Sequence, residues 1–350
     1  MLIPAFKLEM KNPILPGLAV VGKYDGESPS LTCGTNGGRV FIHSPHERDE
    51  FTSAEVRHLN MNRKLTCIAA GALDPKSKRE ALLVGAQTTL FAYDIRENAD
   101  LFYKDVPDGV NAMKVGMINA HDAPLAIVGG NCSIQGFDHE GSEQFWTVTG
   151  DNVVSLEFCD VDSDGRMEML VGSEDFEIRI FNDEEVISEV TETAAVVGLA
   201  SLRRTKYGYA LSNGTVGVYD RNQRVWRVKS KHTVSAICGF DLDGDGEPEL
   251  ISGWSQGRLE VRSDRTGDVI FKDSLNQPVS AIVTADYRKD GAEEVIVCGA
   301  NGEVRAYLPA DQALNGNLMD TNVELDLLHE LTQRKAELQA ELTQREVEIA

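Results

Sequence analysis

Two short acidic loops carry the residue types and the spacing of a metal site. Each has aspartates at positions one, three and five, glycine at six and glutamate at nine, as in "DVDSDGRME" and "DLDGDGEPE". The candidate ligands are Asp160, Asp162, Asp164 and Glu168 in the first loop, and Asp241, Asp243, Asp245 and Glu249 in the second. Alternating carboxylates around a glycine turn can converge on a hard cation that takes oxygen ligands. The two loops therefore predict calcium sites.

These loops are not EF-hands, and an ordinary turn stays open as the alternative. An EF-hand needs a bidentate glutamate at position twelve, where the second loop has Ser252. Asp and Gly also build tight turns in which the carboxylates are only solvated. A third loop, "DYRKDGAEE", keeps Asp286, Asp290 and Glu294 but has Arg288 in place of the second aspartate. Because Arg288 would bring a positive charge among the ligands, we expect no metal there.

The overall charge and the remaining side chains exclude several other functions. A net charge of −22 and a pI near 4.7 argue against nucleic-acid binding and against direct docking on anionic lipid. No nucleophile motif, paired zinc ligands or phosphate loop occurs, and His43 and His46 are expected in a surface turn. The three tryptophans are interpreted as packing residues: Trp146, Trp226 and Trp254. We therefore expect a protein that is not an enzyme and that binds proteins or cations.

A sevenfold repeat predicts the fold that holds these loops. Short apolar strands that end in a small residue and a tight turn recur at Gly34, Gly85, Gly129, Gly172, Leu211, Gly253 and Gly299. The spacings are 51, 44, 43, 39, 42 and 46 residues, a period typical of four-stranded propeller blades. Residues 1–316 are predicted to form an all-β, seven-bladed β-propeller, and a β-sandwich is the alternative.

The ends of this domain predict how the ring closes. An apolar strand precedes each hairpin, as in "NVVSLEFCD" and "VSAICGFD", so each repeat supplies up to four strands. The seventh repeat ends near Leu308 with no fourth strand after it, whereas an unassigned alternating segment, "AFKLEM", lies near the N-terminus. We therefore predict that residues 2–10 form the outer strand of the last blade, which protects its edge.

The C-terminal tail differs in composition from the rest of the chain. From residue 317 the strand pattern stops, and a region rich in Glu, Leu, Gln and Ala predicts an α-helix over 317–350. Apolar residues on alternating three- and four-residue steps form a coiled-coil seam for a partner helix: Leu328, Leu331, Leu338, Leu342 and Ile349. The alternative is a helix that packs back on the propeller. The segment is expected to begin a longer coiled coil.

The N-terminus and the cysteines indicate the compartment. "MLIPAFKLEMKNP" has no basic region followed by a long apolar stretch, and six dispersed cysteines fit reduced thiols better than a disulfide framework. A cytoplasmic protein is predicted. The acidic loops are nevertheless similar to the calcium loops of integrin α-subunit propellers, with Glu in place of the usual final Asp. This similarity implies an alternative function, a calcium-dependent extracellular recognition propeller.

Long stretches of the chain resemble one family. "AIVGGNCSIQGFDHEGSEQFWTVTGDNVVSLEFCDVDSDGRMEMLVGSEDFEIRIF", with "YALSNGTVGVYD" and "RSDRTGDVIFKD", resembles the Bardet–Biedl syndrome protein 2 family of BBSome subunits. The resemblance implies a scaffold of a coat-like adaptor that carries membrane proteins to and from cilia. It implies contact with other BBSome subunits, above all Bardet–Biedl syndrome protein 7 through the coiled coil. It also implies an indirect association with the ciliary membrane, the basal body and centriolar satellites.

Overall fold

The computed structural model describes residues 2–46 and 56–310, and these form seven four-stranded antiparallel sheets. The first strands of the blades are β2 (Ala19–Gly22), β6 (Cys67–Gly71), β10 (Ala112–Gly116), β14 (Val153–Cys159), β18 (Val196–Ser201), β22 (Val234–Phe240) and β26 (Val279–Ala285). The second strands are β3 (Ser30–Thr35), β7 (Ala81–Ala86), β11 (Leu125–Gly129), β15 (Glu168–Ser173), β19 (Lys206–Leu211), β23 (Glu249–Trp254) and β27 (Glu294–Gly299). They include the most completely buried strands of the blades.

In blades 1 to 6 the third and outer strands form a second hairpin. In blade 7 the third strand pairs instead with the N-terminal strand. The third strands are β4 (Arg39–His43), β8 (Thr89–Asp94), β12 (Ser133–Phe137), β16 (Glu177–Asn182), β20 (Thr215–Asp220), β24 (Arg258–Arg262) and β28 (Glu303–Pro309). The outer strands are β5 (Val56–Asn60), β9 (Ala99–Asp105), β13 (Glu143–Val148), β17 (Glu185–Thr191), β21 (Gln223–Lys229), β25 (Val269–Ser274) and β1 (Leu2–Glu9). Blade 1 contains β2 to β5, and the following blades continue in chain order.

The first strands of successive blades contact one another in a closed ring, from β2 through β26 and back to β2. Buried apolar clusters fill the spaces between blades. The predicted seven-bladed propeller is therefore confirmed. Among the described residues there is no helix with the length and apolarity needed to span a membrane. The helix predicted over 317–350, with its five seam residues, lies outside the described residues.

The ring closes through the N-terminal strand. In blade 7, β1 pairs antiparallel with β28, from Leu2 opposite Pro309 to Glu9 opposite Glu303. Lys7 adds an ion pair with the largely buried Glu303 at 3.2 Å. The prediction that residues 2–10 supply the missing outer strand is confirmed. Blade 7 is thus built from both ends of the propeller sequence, so the first and last strands hold each other in place.

Six of the seven repeat anchors are glycines, and the next blade lies closely against several of them. A Cβ added to Gly172 would lie 2.6 Å from Val196 Cγ1, and one added to Gly253 would lie 2.4 Å from Val279 Cγ1. Both contacts are shorter than carbon atoms tolerate. A larger side chain at either position would push the first strand of the following blade away. The spacing of these glycines in the sequence therefore reports blade-to-blade packing.

Two expectations about individual side chains were wrong. His43 is buried at the end of β4, where Nδ1 and the Tyr287 hydroxyl of blade 7 are 2.6 Å apart, so it is not in a surface turn. Trp226 and Trp254 pack in the core as expected, but Trp146 is 50% exposed. Trp146 lies on outer strand β13, where Phe145 and Thr147 are the residues that point inward.

Candidate metal sites

The three acidic loops connect the first and second strands of their blades. We call them the blade-4 loop (160–168), the blade-6 loop (241–249) and the blade-7 loop (286–294). The glycine at position six of each has a positive φ of 87° or 88°, which favours glycine because it has no Cβ. The residue at position four also has a positive φ, with Ser163, Gly244 and Lys289 there. Sequence spacing therefore placed the loops and their turns correctly.

The same backbone hydrogen bonds hold all three loops. In the blade-4 loop, the glutamate at position nine accepts from the N–H of Val161 at 2.8 Å, and Asp160 accepts from the N–H of Gly165 at 3.1 Å. Asp164 accepts from the N–H of Arg166 at 2.7 Å. The corresponding distances are 2.8, 2.9 and 2.8 Å in the blade-6 loop and 2.6, 3.0 and 3.0 Å in the blade-7 loop. The loop backbone thus forms with or without a complete set of aspartates.

Three of the four predicted ligands converge in each of the first two loops. One oxygen from each member lies within 4.8 Å of the others in the groups Asp160, Asp162, Glu168 and Asp241, Asp243, Glu249. The aspartates at position five are not in these groups. Asp164 and Asp245 accept from the backbone two residues later, and Asp245 also pairs with Arg265 at 2.8 Å. Each loop therefore brings three carboxylates together.

The blade-4 loop leaves carboxylate oxygens without a donor. Glu168 is fully buried, and its Oε1 accepts no hydrogen bond from the described residues; the same holds for the buried Asp160 Oδ1. A buried carboxylate without a partner is energetically costly. Burial raises the pKa of Glu168, and the charges of Asp162 and Asp164 raise it further. A cation bound to these oxygens would remove both costs, so the site fits a hard divalent ion.

The first aspartate of the blade-6 loop has more hydrogen-bond donors than its counterpart in the blade-4 loop. Asp241 accepts from the N–H of Gly244 at 2.7 Å and from the N–H of Gly246 at 2.9 Å, so both of its oxygens have donors. Glu249 is 5% exposed, and burial raises its pKa to about 7, with a further contribution from the charge of Asp243. This carboxyl therefore takes up a proton readily when no cation is bound.

The blade-7 loop carries its own cation. The guanidinium of Arg288 donates from Nε to Oε1 of the fully buried Glu294 at 2.5 Å and from Nη2 to Asp290 at 2.8 Å. Glu294 is the counterpart of Glu168, and Arg288 occupies the sequence position of Asp162. The arginine thus places a positive charge on the buried glutamate, which no side chain does for Glu168 in the described residues.

One residue of each candidate site lines a shared cavity. Asp160 and Asp241 both line a space of about 490 Å³ over blade 5, together with Arg203 and Arg204 of the turn between β18 and β19. Arg203 donates from Nη1 to the carbonyl of Gly246 at 3.1 Å. These two arginines and Arg265 could not be predicted from the sequence, because they reach the loops from other turns and no local motif marks them.

Comparison with protein-family models identifies the chain. Residues 20–116 match the model described as "Ciliary BBSome complex subunit 2, N-terminal" and residues 155–262 match "Ciliary BBSome complex subunit 2, middle region". The two matches follow each other in order and together cover more than half of the chain. The chain belongs to the BBSome subunit 2 family. The resemblance inferred from the sequence is thereby confirmed.

Individual relatives agree with this membership. BBSome complex member BBS2 of Homo sapiens is 50% identical over 352 residues, which is 98% of this chain and 49% of that protein. BBSome complex member bbs-2 of Caenorhabditis elegans is 35% identical, across 83% of this chain and 39% of that protein. The chain therefore spans about half the length or less of these curated relatives.

Solved structures support the fold alone. A crystal structure of BBS1N in complex with ARL6DN matches with a TM-score of 0.72 at 14% identity, covering 88% of this chain and 96% of that one. The WD40 β-propeller domain of Doa1 matches with a TM-score of 0.65 at 13% identity, covering 87% and 96%. Both comparisons agree with the propeller architecture.

Proposed function

We propose that this protein is a non-enzymatic scaffold subunit of the BBSome and acts through protein contacts in the coat-like trafficking of membrane proteins to and from cilia. The single observation that carries the proposal is membership of the BBSome subunit 2 family, with 50% identity across 98% of the chain to the human BBSome complex member BBS2. The closed propeller and the net charge of −22 suit a protein-binding surface. The family membership also weighs against the extracellular integrin-like alternative.

The partners and the location follow from this role as further parts of the proposal. The propeller contacts other BBSome subunits, and the segment 317–350 pairs with Bardet–Biedl syndrome protein 7 through Leu328, Leu331, Leu338, Leu342 and Ile349. The protein then works in the cytoplasm and at the cilium, the ciliary membrane, the basal body and centriolar satellites. Its association with membrane is indirect, through the complex.

Affinity purification of the full-length protein tests this function. We expect the other BBSome subunits to co-purify with it. Replacing both Leu331 and Leu338 by Asp should abolish co-purification of Bardet–Biedl syndrome protein 7 and leave the propeller folded, because a charge buried in a coiled-coil seam is costly. Replacing both by Ile is the matched control. Co-purification of no BBSome subunit would contradict the function, and retained binding of the Asp variant would contradict only the seam.

A second proposal concerns the acidic loops, which we infer to bind calcium as a structural fastener. The observation that favours it is the pair of buried oxygens without donors in the blade-4 loop, Glu168 Oε1 and Asp160 Oδ1. Asp160, Asp162 and Glu168 would hold one ion, and Asp241, Asp243 and Glu249 the other. Asp164 and Asp245, predicted as ligands, would support the loop backbone instead. The cation supplies charge neutralisation and no catalytic step.

Calorimetric titration of the purified protein with calcium measures this occupancy. We expect two ions per chain, with tighter binding at the blade-4 loop because its oxygens lack donors. Asp162→Asn should remove one site and Asp243→Asn the other. Asp183→Asn, in the hairpin turn between β16 and β17, is the control and should leave both sites. If titration of the unaltered protein with calcium gives no heat of binding, the loops are ordinary Asp-Gly turns.

A further inference from the structure

One turn of the propeller contains an aromatic residue where glycine is used elsewhere. In each blade a tight turn joins the second strand to the third. The residue just before the third strand is a glycine of positive φ in four blades, namely Gly38, Gly214, Gly257 and Gly302. In blade 4 the same place is taken by Phe176, with φ of 75°. This is a backbone conformation that bulky residues rarely adopt.

Hydrogen bonding identifies Phe176 as the structural equivalent of those glycines. The carbonyl of Phe176 accepts from the N–H of Glu192, which follows the outer strand, at 2.7 Å. The glycine carbonyls accept from the corresponding residues of their own blades at 2.8 or 2.9 Å. The turn therefore has one backbone geometry in these five blades, and in blade 4 a phenylalanine is held in it at the cost of strain.

Packing of the ring does not compensate for this strain. Phe176 is 45% exposed. In the ranges 2–46 and 56–310 it belongs to neither of the apolar clusters on the two sides of blade 4. A glycine would satisfy the same turn without strain and without exposing a ring. The buried clusters of the fold therefore do not use the ring, and strained residues of this kind gather at binding sites.

The surroundings of the ring are strongly acidic. Three carboxylates flank the ring in the sequence, Glu174, Asp175 and Glu177, and the one cation within residues 174–192 is Arg179. That guanidinium is shared by Asp175 at 2.7 Å, Glu189 at 2.8 Å and Glu177. Glu174, next to the ring, is exposed and has no such cation in the described residues. Phe176 therefore projects from a region of negative potential, which disfavours anionic lipid and favours a cationic surface.

We propose that Phe176 is an anchor for a partner protein, and that the partner offers an apolar pocket rimmed by lysine and arginine. This inference rests on the proposed function, in that the chain acts through protein contacts. Single aromatic side chains that fill a desolvated pocket carry a large share of the binding energy in many interfaces. The acidic side chains beside Phe176 then require a positively charged rim on the partner.

The turn presents the ring rigidly, which favours such a role. Glu174 donates its N–H to the carbonyl of Asn152 at 2.9 Å, and Asp175 accepts from the N–H of Glu177 at 3.2 Å. A Cβ added to Gly150 would lie 2.5 Å from Asp175, so the connection from blade 3 lies tightly against the turn. A residue fixed in this way loses little freedom on binding, because its conformation is already set.

The first test separates stability from binding. Phe176→Gly and Phe176→Asn should raise the melting temperature by about 1 to 3 °C, because Gly and Asn accept a positive φ. Gln87→Gly, at a turn residue of blade 2 with φ of 58°, is the matched control for relief of strain. A lower melting temperature for both Phe176 variants, with the control unchanged or raised, would mean that the ring packs for folding and would overturn the inference.

The second test identifies the partner with a photo-reactive probe. Full-length protein carrying p-benzoylphenylalanine at position 176 is irradiated in cells, with the same probe at position 87 as control, and the crosslinked peptides are sequenced. We expect a crosslink to one site of another protein, apolar and flanked by Lys or Arg. Phe176→Asn should weaken binding of that purified protein by about tenfold or more, and Phe176→Tyr should restore most of it.

Three results would overturn this inference: crosslinks confined to the chain itself, crosslinks to lipid, or unchanged binding of the crosslinked protein by Phe176→Asn. Failure of the proposed function is a separate outcome. If no BBSome subunit co-purifies but the crosslink and its loss in Phe176→Asn are observed, the anchor stands and the BBSome role fails. If the subunits co-purify and Phe176→Asn binds normally, the anchor alone fails.

Discussion

The blade-4 loop and the blade-7 loop have the same backbone and balance their carboxylates in different ways. Glu168 and Glu294 are both fully buried and both accept from the N–H at position two. Glu294 receives a guanidinium from Arg288, whereas Glu168 Oε1 receives no donor from the described residues. This comparison shows that the shape of the loop and the neutralisation of its charge have separate causes. Backbone hydrogen bonds fix the shape, and the cation only neutralises charge.

The largest expected effect comes from removing the internal cation. Arg288→Met leaves Glu294 buried and unpaired, which should lower the free energy of unfolding by about 3 to 5 kcal/mol. Denaturant unfolding measures the change. Arg166→Met, at an exposed position of the blade-4 loop, is the matched control and should change stability by less than about 0.5 kcal/mol. Equal small effects in both variants would show that Arg288 is no substitute for a cation.

Calcium should stabilise the protein through the other two loops. An ion that binds only the folded state adds about 2.7 kcal/mol at a hundredfold excess over its dissociation constant. Thermal unfolding with calcium and with a chelator gives the shift. In the double variant Asp162→Asn, Asp243→Asn the shift should shrink, because each site loses a charged ligand. If calcium does not change the melting curve of the unaltered protein, the blade-4 and blade-6 loops do not differ from the blade-7 loop in needing a bound cation.

The blade-6 loop should make metal-free stability depend on pH. The pKa of Glu249 in the folded protein is about 7, above its value in the unfolded chain, so the folded state holds the extra proton. The stability that this bound proton adds is full below about pH 4.5 and declines as pH rises from there through 7, by about 3 kcal/mol. Subtracting the profile of Glu249→Gln isolates the decline, and saturating calcium should suppress it. Parallel profiles of the two proteins would contradict the assignment.

The smallest expected effect comes from replacing the buried glutamate by Gln, and its sign should differ between the blade-4 loop and the blade-7 loop. In chelator, Glu168→Gln should stabilise the protein by about 1 kcal/mol, because it removes a buried charge without a partner. Glu294→Gln should destabilise it, because Arg288 then loses its buried carboxylate. Chemical denaturation of the two variants side by side provides the measurement. The same sign in both would mean that Glu168 is already neutralised in the metal-free protein.

The fold could be predicted from the sequence because its main contacts repeat. Glycines such as Gly172 and Gly253 recur where the next blade approaches closely, so spacing alone revealed the blades. Single side chains on the outer strands were less predictable. Trp146 was expected in the core, yet on a period-two strand its neighbours Phe145 and Thr147 take the inward positions. The position of His43 was predicted wrongly because Tyr287, which covers it, is distant in the sequence and belongs to blade 7.

The candidate sites were only partly predictable. The spacing of acids and glycine indicated the loops, and it correctly singled out Arg288 as the departure in blade 7. It could not show that Asp164 and Asp245 are directed to backbone N–H groups, because that depends on the folded path of the turn. The pairing of Asp245 with Arg265 was equally hidden, since the arginine comes from the hairpin that follows β24.

The closure of blade 7 by β1 has a consequence for synthesis on the ribosome. Residues 2–9 are made before the rest of the propeller, but their partner strand, Glu303–Pro309, emerges about 300 residues later. At about 5 to 20 residues per second, the first strand waits roughly 15 to 60 s with an unpaired edge. During that interval the nascent chain exposes a strand that can pair with other chains. A premature stop before residue 303 would make this temporary exposure permanent, so even late truncations of the propeller should be aggregation-prone.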